Sequence, residues 1–182
     1  MKKLLLLFAL CVCALQLNAQ NRVEFLGMQI NGNTKTAFAE KLKEKGYKFK
    51  AEKDGFVMYT GQFLGLDASV MLVPSSDEED GINGVHVFID KVNPVKLGQL
   101  YADLLQKYMA KYSNYKYTTE VGSGGGTEVT FTKKYPDDIT DFVALTLEIR
   151  GSKCKLIVDY GSKKFDDVSG NSGGNGIGID DI

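Results

Sequence analysis

Apolar positions along this chain recur with two spacings, and the spacing changes at few places. The stretch "VEFLGMQI", over about 23–30, suits a short lead-in strand. From Thr34 the spacing lengthens. Phe38 and Leu42 lie one helical turn apart with Ala37 and Ala39 beside them, while Lys41, Lys43, Glu44 and Lys45 take the other side. Asn33 or Thr34 supplies a cap and Gly46 a stop, so a helix is predicted over about 34–45. A period of two follows. In "YKFKAEK", Tyr47, Phe49 and Ala51 alternate with Lys48, Lys50 and Glu52, the mark of a half-buried strand. Asp54-Gly55 is a hairpin signal. "FVMYTGQFLG" and "ASVMLVP", turned near Leu66-Asp67, give two more strands, and "VHVFIDKV" a fourth beyond the polar loop "SSDEEDGING".

The same order then repeats. Asn93-Pro94 reads as a cap followed by proline at the first helical position. Leu97, Leu100, Tyr101, Leu104, Leu105, Tyr108 and Tyr112 form a helical stripe that ends near Tyr112. Strand patterns resume in "NYKYTTEV", "TEVTFTKKY", "DFVALTLEIR" and "SKCKLIVDY", joined by "GSGGG", "PDDIT" and a turn at Gly151-Ser152. The predicted fold class is α+β: tandem helix-plus-four-strand units forming a largely antiparallel sheet, with two helices packed on one face. Each half has one apolar sheet face and one helix to cover it, so the halves share a core. The opposite face is expected to be solvated and available. The repeat is one of pattern, since the halves are not alike residue by residue.

The ends differ from this body. "MKKLLLLFALCVCALQLNAQ" has Lys2 and Lys3, an apolar run from Leu4 to Leu15, and small residues before Gln20. That is the anatomy of a cleavable signal peptide over residues 1–19. The run is too short to span a bilayer, which takes about 20 apolar residues. Lipidation at Cys11 or Cys13 is disfavoured by bulky Leu10 and Val12 before them. Residues 20–168 form one domain, in halves of about 20–92 and 93–168. Residues 169–182 are a Gly/Ser-rich tail in which Ile177, Ile179 and Ile182 are interleaved with acids, expected to be a disordered tail or a segment docking on a sheet edge. No transmembrane segment is expected after cleavage, and the location is periplasmic or extracellular.

Cleavage changes the charge and the cysteine count. The whole chain carries 22 Lys+Arg against 23 Asp+Glu, and losing Lys2 and Lys3 leaves a net charge of about −3. There is no basic stripe for nucleic acid. Cys154 alone survives, so no intramolecular disulfide forms, although the compartment permits one. Cys154 is in phase with Leu156, Val158 and Tyr160, which makes it a buried strand cysteine.

Candidate chemistry is sparse. "GMQINGNT" has the spacing G-x-x-x-x-G-x-T, near the phosphate-binding G-x-x-x-x-G-K-[ST], but Asn33 stands where the lysine belongs. Antiparallel hairpins follow it, so no nucleotide is expected; Gly27 and Gly32 instead turn a strand into a helix. The glycines of "GSGGG" (Gly122, Gly124, Gly125 and Gly126) lie between strands and read as a hairpin loop. Asp77, Glu78, Glu79 and Asp80 are weak metal candidates that lack EF-hand spacing, with Asp137, Asp138, Asp141, Asp166 and Asp167 weaker still. No metal and no cofactor is expected. His86, the only histidine, is out of phase with Val85, Val87 and Ile89, which places it on the open sheet face with Phe88 and Asp90. One histidine makes no zinc site, and no G-x-S-x-G elbow is present. The tyrosines of "YADLLQKYMAKYSNYKY" read as core with hydroxyls at the rim; Tyr115 and Tyr117 share one strand face.

The opening "EFLGMQINGNTKTAFAEKLKEKGYKF", with a short Ile/Asp-rich end after a glycine-rich linker, resembles small exported bacterial proteins of unassigned function. That resemblance implies export and a small α+β fold, and transfers no site residue. The tandem of a helix and four strands is similar in architecture to the β-lactamase inhibitor proteins, which bind an enzyme through a concave sheet face. The units here carry one helix instead of a pair, and that family's disulfides have no counterpart. The leading expectation is a non-enzymatic exported binding module that uses His86, Phe88 and Asp90 on the open face, or its loops, to bind a protein or a cell-envelope component. The alternatives are a hydrolase-like enzyme assembled around His86 and an envelope assembly protein.

Overall fold

The computed structural model describes residues 22–76, 78–121, 126–150 and 153–164. The expected signal peptide over 1–19, the tail over 169–182, Asp77, three glycines of "GSGGG", the Gly151-Ser152 turn and Asp166-Asp167 lie outside the described residues.

The chain begins with a small hairpin, β1 (Glu24–Phe25) and β2 (Met28–Gln29). This replaces the predicted single lead-in strand. Leu26 and Gly27 take φ of 53° and 78°, the left-handed pair of a tight hairpin turn. Gly27 thus turns one strand into another, and Gly32 (φ 79°) lies in the turn ahead of the helix. Helix α1 (Lys35–Glu44) is capped by the Thr34 hydroxyl, which accepts from the Ala37 N–H at 3.1 Å. It buries Phe38 and Leu42 and stops at Gly46 (φ 84°).

Four strands follow: β3 (Lys48–Lys53), β4 (Phe56–Phe63), β5 (Leu66–Pro74) and β6 (Ile82–Ile89). Then come helix α2 (Pro94–Lys111), β7 (Lys116–Val121), β8 (Thr127–Lys134), β9 (Ile139–Arg150) and β10 (Lys153–Lys164). The Asn93 side chain caps α2 by accepting from the Val95 N–H at 2.9 Å, with Pro94 in the first turn. Strands β3 to β10 form one eight-stranded sheet in the order β3-β4-β5-β6-β10-β9-β8-β7, every neighbouring pair antiparallel. The class is α+β with a large antiparallel sheet.

Strand alternation sorts the side chains. Val57, Tyr59, Val70, Leu72, Val85, Val87, Ile89, Phe131, Val143, Leu145, Leu156 and Val158 share one buried cluster with Phe38 and Leu42 of α1 and Leu97 and Leu104 of α2. Cys154 is free and buried there, and burial pushes its thiol up from the ordinary range. That is the opposite of what a thiolate nucleophile needs.

Three further expectations are corrected. The turn between β4 and β5 is Leu64-Gly65, with φ of 51° and 78°, ahead of the predicted Leu66-Asp67. Strand β3 is exposed along most of its length; the register shifts between Phe49 and Ala51, which breaks the alternation and leaves Phe49 56% exposed. Tyr115 is core, but Tyr117 lies on the last strand of the sheet and is 58% exposed.

Candidate functional site

Opposite phases of the same strands bring a second group of side chains together on the far side of the sheet from the main core. Met58, Met71, His86 and Asp159 are successive cross-strand partners on β4, β5, β6 and β10. Ser69, Phe88, Ile157, Thr146 and Glu128 form the adjacent row on β5, β6, β10, β9 and β8. Met58, Met71 and Phe88 are buried, and Phe56, Val73 and Ile157 pack against them half-buried. The far face is therefore not wholly solvated as expected. Its signal was in the sequence: "VMY", "VML" and "VFI" are apolar in both phases of the strand, which marks burial on both sides.

His86 sits within this face. Its Nδ1 lies 2.8 Å from Asp159 Oδ1, with the two side chains 33% and 20% exposed. The contact is close without being an aligned hydrogen bond, since Asp159 Oδ1 has no hydrogen-bond partner. The imidazole stacks on Phe88 with centroids 6.1 Å apart, and Lys155 Nζ stands 5.1 Å from the Phe88 centroid. Lys50 Nζ reaches to 3.5 Å from Met58 Sδ. Further along, the Glu128 carboxylate accepts from the Thr130 and Thr146 hydroxyls at 2.9 and 3.2 Å. The result is an apolar patch framed by a histidine–aspartate pair and lysines.

The three expected site residues are not all brought together. His86 and Phe88 are stacked neighbours, with Phe88 only 8% exposed. Asp90 lies beyond the end of β6, where it lines an open cleft of about 820 Å³ with Lys48, Asp67, Lys91 and Lys96.

The acidic loop serves α1 instead. The Asp80 carbonyl accepts the Lys35 N–H at 2.6 Å and its carboxylate accepts the Thr36 hydroxyl at 3.3 Å. Among the described residues no group of three or more His, Cys, Asp or Glu is arranged to hold a metal ion. Asn33, at the lysine position of the phosphate-loop spacing, donates its side-chain N–H to the Gln29 carbonyl at 2.9 Å.

One polar cluster escaped the sequence reading. The Asp141 carboxylate is 1% exposed and accepts from the Val23 N–H (3.0 Å) and the Ser162 hydroxyl (2.7 Å), with Arg22 3.4 Å away. Arg22 also pairs with Asp137 at 2.8 Å and stacks 3.8 Å over the Tyr135 ring. Asp141 shares the phase of Val143 and Leu145, so an acid on a core face was the available signal. The cluster staples the start of the described chain to β9 and β10. Beside it the tyrosines form a connected set: Tyr108 and Tyr160 hydroxyls are hydrogen-bonded to each other, and Tyr115 and Tyr135 hydroxyls meet at 3.2 Å.

Among the described residues no helix is long and apolar enough to cross a membrane. Comparison of the chain with protein-family models, with curated proteins and with solved structures found no match.

Proposed function

We propose that this chain is an exported, non-enzymatic binding module, periplasmic or extracellular, whose far sheet face meets a protein or a component of the cell envelope. In this reading two tandem helix-plus-four-strand units join at β6 and β10, and both helices cover one side of the sheet. The other side is left for a partner. The sheet order supports the tandem, because each half contributes four contiguous strands. The lysines and short apolar run at the start of the sequence support export.

The observation that carries the reading is the second apolar cluster, Met58, Met71 and Phe88 with Phe56, Val73 and Ile157, placed away from the main core beside the half-exposed His86–Asp159 pair. Met58, Met71 and Phe88 are buried within the chain, so the partner meets the half-buried Phe56, Val73 and Ile157 together with His86, Asp159 and Lys155 around them, an apolar centre with a charged rim. The test is affinity capture from an envelope extract with wild type, with a His86→Glu/Lys155→Glu face variant, and with a Lys43→Glu control on α1. A partner retained by wild type and control and lost by the face variant supports the reading. A partner retained by all three places binding elsewhere.

A second reading has one observation in its favour. The Asp159 carboxylate beside His86 Nδ1 is the orienting half of a general acid–base site. Hydrolysis of activated esters by wild type and its loss in His86→Ala would support an enzyme.

A further inference from the structure

The two outer strands of the sheet are unlike. At one end, β3 is defended: its register is broken by a bulge, and lysines 48, 50 and 53 stand along its six residues. Bulges and lysines are how sheet edges discourage pairing. At the other end, β7 has no bulge and a single lysine, Lys116, at its first position. Its six residues, Lys-Tyr-Thr-Thr-Glu-Val, are all exposed and pair with β8 without a register shift. Tyr117 is 58% and Val121 77% exposed. The Lys116 carbonyl accepts from the hydroxyl of Thr132, its partner on β8, at 3.3 Å, so Lys116 turns its backbone inward. By strand alternation the N–H and C=O groups of Tyr117, Thr119 and Val121 turn outward.

We propose that β7 is a homotypic pairing edge, and that two copies of this chain join β7 to β7 in antiparallel fashion. A two-fold axis normal to the sheet keeps each face continuous across the junction. Placed at Thr118, that axis sets Lys116 opposite Glu120 of the second copy, twice, on one face, and Tyr117 opposite Thr119 of the second copy, twice, on the other. The strand is thus complementary to itself in charge. The inward-turned pairs are the closely spaced ones, which brings the lysine and glutamate within reach. Pairing covers the exposed Tyr117 and gives the outward backbone groups of Tyr117 and Thr119 partners. The inference is independent of the face that carries His86.

The experiment uses protein purified from cells expressing the whole sequence, with mass measured by sedimentation equilibrium over a concentration series. Wild type is expected to dimerise. Glu120→Lys places like charges opposite each other and is expected to weaken the dimer about tenfold or more. Lys116→Glu combined with Glu120→Lys is expected to restore it. Thr119→Pro removes an outward N–H and is expected to give a monomer, while circular dichroism reports that each variant is folded. A wild type that stays monomeric overturns the proposal, as does a dimer indifferent to Glu120→Lys. Capture of a foreign strand by monomeric protein through β7 would also overturn it, as the edge would then serve a different partner.

Discussion

The ring of Phe142 lies against Gly161, its direct cross-strand partner, so closely that a Cβ on Gly161 would stand 2.1 Å from two ring carbons. The first half has a counterpart: a Cβ on Gly61 would stand 2.4 Å from the Tyr47 ring, whose hydroxyl donates to the Gln62 carbonyl at 2.7 Å. In each case an aromatic ring fills the place a side chain would take on a strand, on the far face at Gly161 and on the core face at Gly61. Ring and glycine therefore act as one unit.

Gly161→Ala is expected to lower stability by about 1–3 kcal/mol, because the methyl must displace the ring. Phe142→Ala uncovers the glycine and also destabilises. The double variant is expected to lose less than the sum of the singles, since the methyl then has room. Urea unfolding of the four proteins measures the coupling. Additive losses would mean that the ring leaves the glycine in solution.

Leu104→Ala tests the cover provided by α2. Leu104 is 3% exposed and belongs to the main cluster with the strand residues. Its truncation is expected to cost about 2–5 kcal/mol in urea unfolding. A loss below about 0.5 kcal/mol would detach the helix from the sheet.

What the sequence revealed follows from which interactions are local. Thr34, Gly46, Asp54-Gly55 and Asn93-Pro94 punctuate the chain as their local chemistry requires: both helices begin where Thr34 and Asn93 place them, and α1 stops at Gly46. Phe49 and Tyr117 are exposed on the outer strands despite their place in the alternation, because a period of two reports alternation without saying whether the strand lies at the edge or the centre of a sheet. The partnership of His86 with Asp159 joins residues 73 apart in sequence through β6–β10 pairing, and no periodicity encodes such a register. Asp141 differs: its phase exposed it, but its partners Arg22 and Val23 lie over a hundred residues away.

Asp141→Asn keeps the shape of that buried carboxylate and removes its charge. The side chain loses its ionic attraction to Arg22 and keeps only one acceptor oxygen for the Val23 N–H and the Ser162 hydroxyl. A loss of about 1–3 kcal/mol is expected. Asp141→Ala, which leaves both donors without it, should lose more. Equal stability of wild type and alanine variant in urea would mean that the staple contributes nothing to the fold.

The Tyr112 hydroxyl makes the opposite case. The residue is 2% exposed and its oxygen has no hydrogen-bond partner among the described residues. A buried hydroxyl without a partner costs about 1–3 kcal/mol of desolvation. Tyr112→Phe keeps the ring contacts with Tyr108, Tyr115 and Phe131 and removes that cost, so its melting temperature should rise. A fall in melting temperature would reveal a partner for the hydroxyl.

The same tyrosines fix how the fold responds to alkali. Burial pushes Tyr108 up to about 12, against a counteracting hydrogen bond from Tyr160, and burial likewise raises Tyr112, Tyr115 and Tyr160. A phenol whose folded pKa lies above its unfolded value of about 10 holds its proton longer in the folded state. Its contribution to stability is complete below pH 10 and disappears as pH rises through the folded value. Stability should therefore be insensitive to these groups at neutral pH, then fall between about pH 10 and 12 by about 1.4 kcal/mol per pH unit for each tyrosine still protonated only in the folded state. Urea midpoints measured across that window check the slope. Phenolate absorbance from Tyr108, Tyr112, Tyr115 and Tyr160 should rise only above pH 10, as the chain unfolds. Ionisation of these four tyrosines near pH 10, with the fold retained, would show that the cluster is open to water.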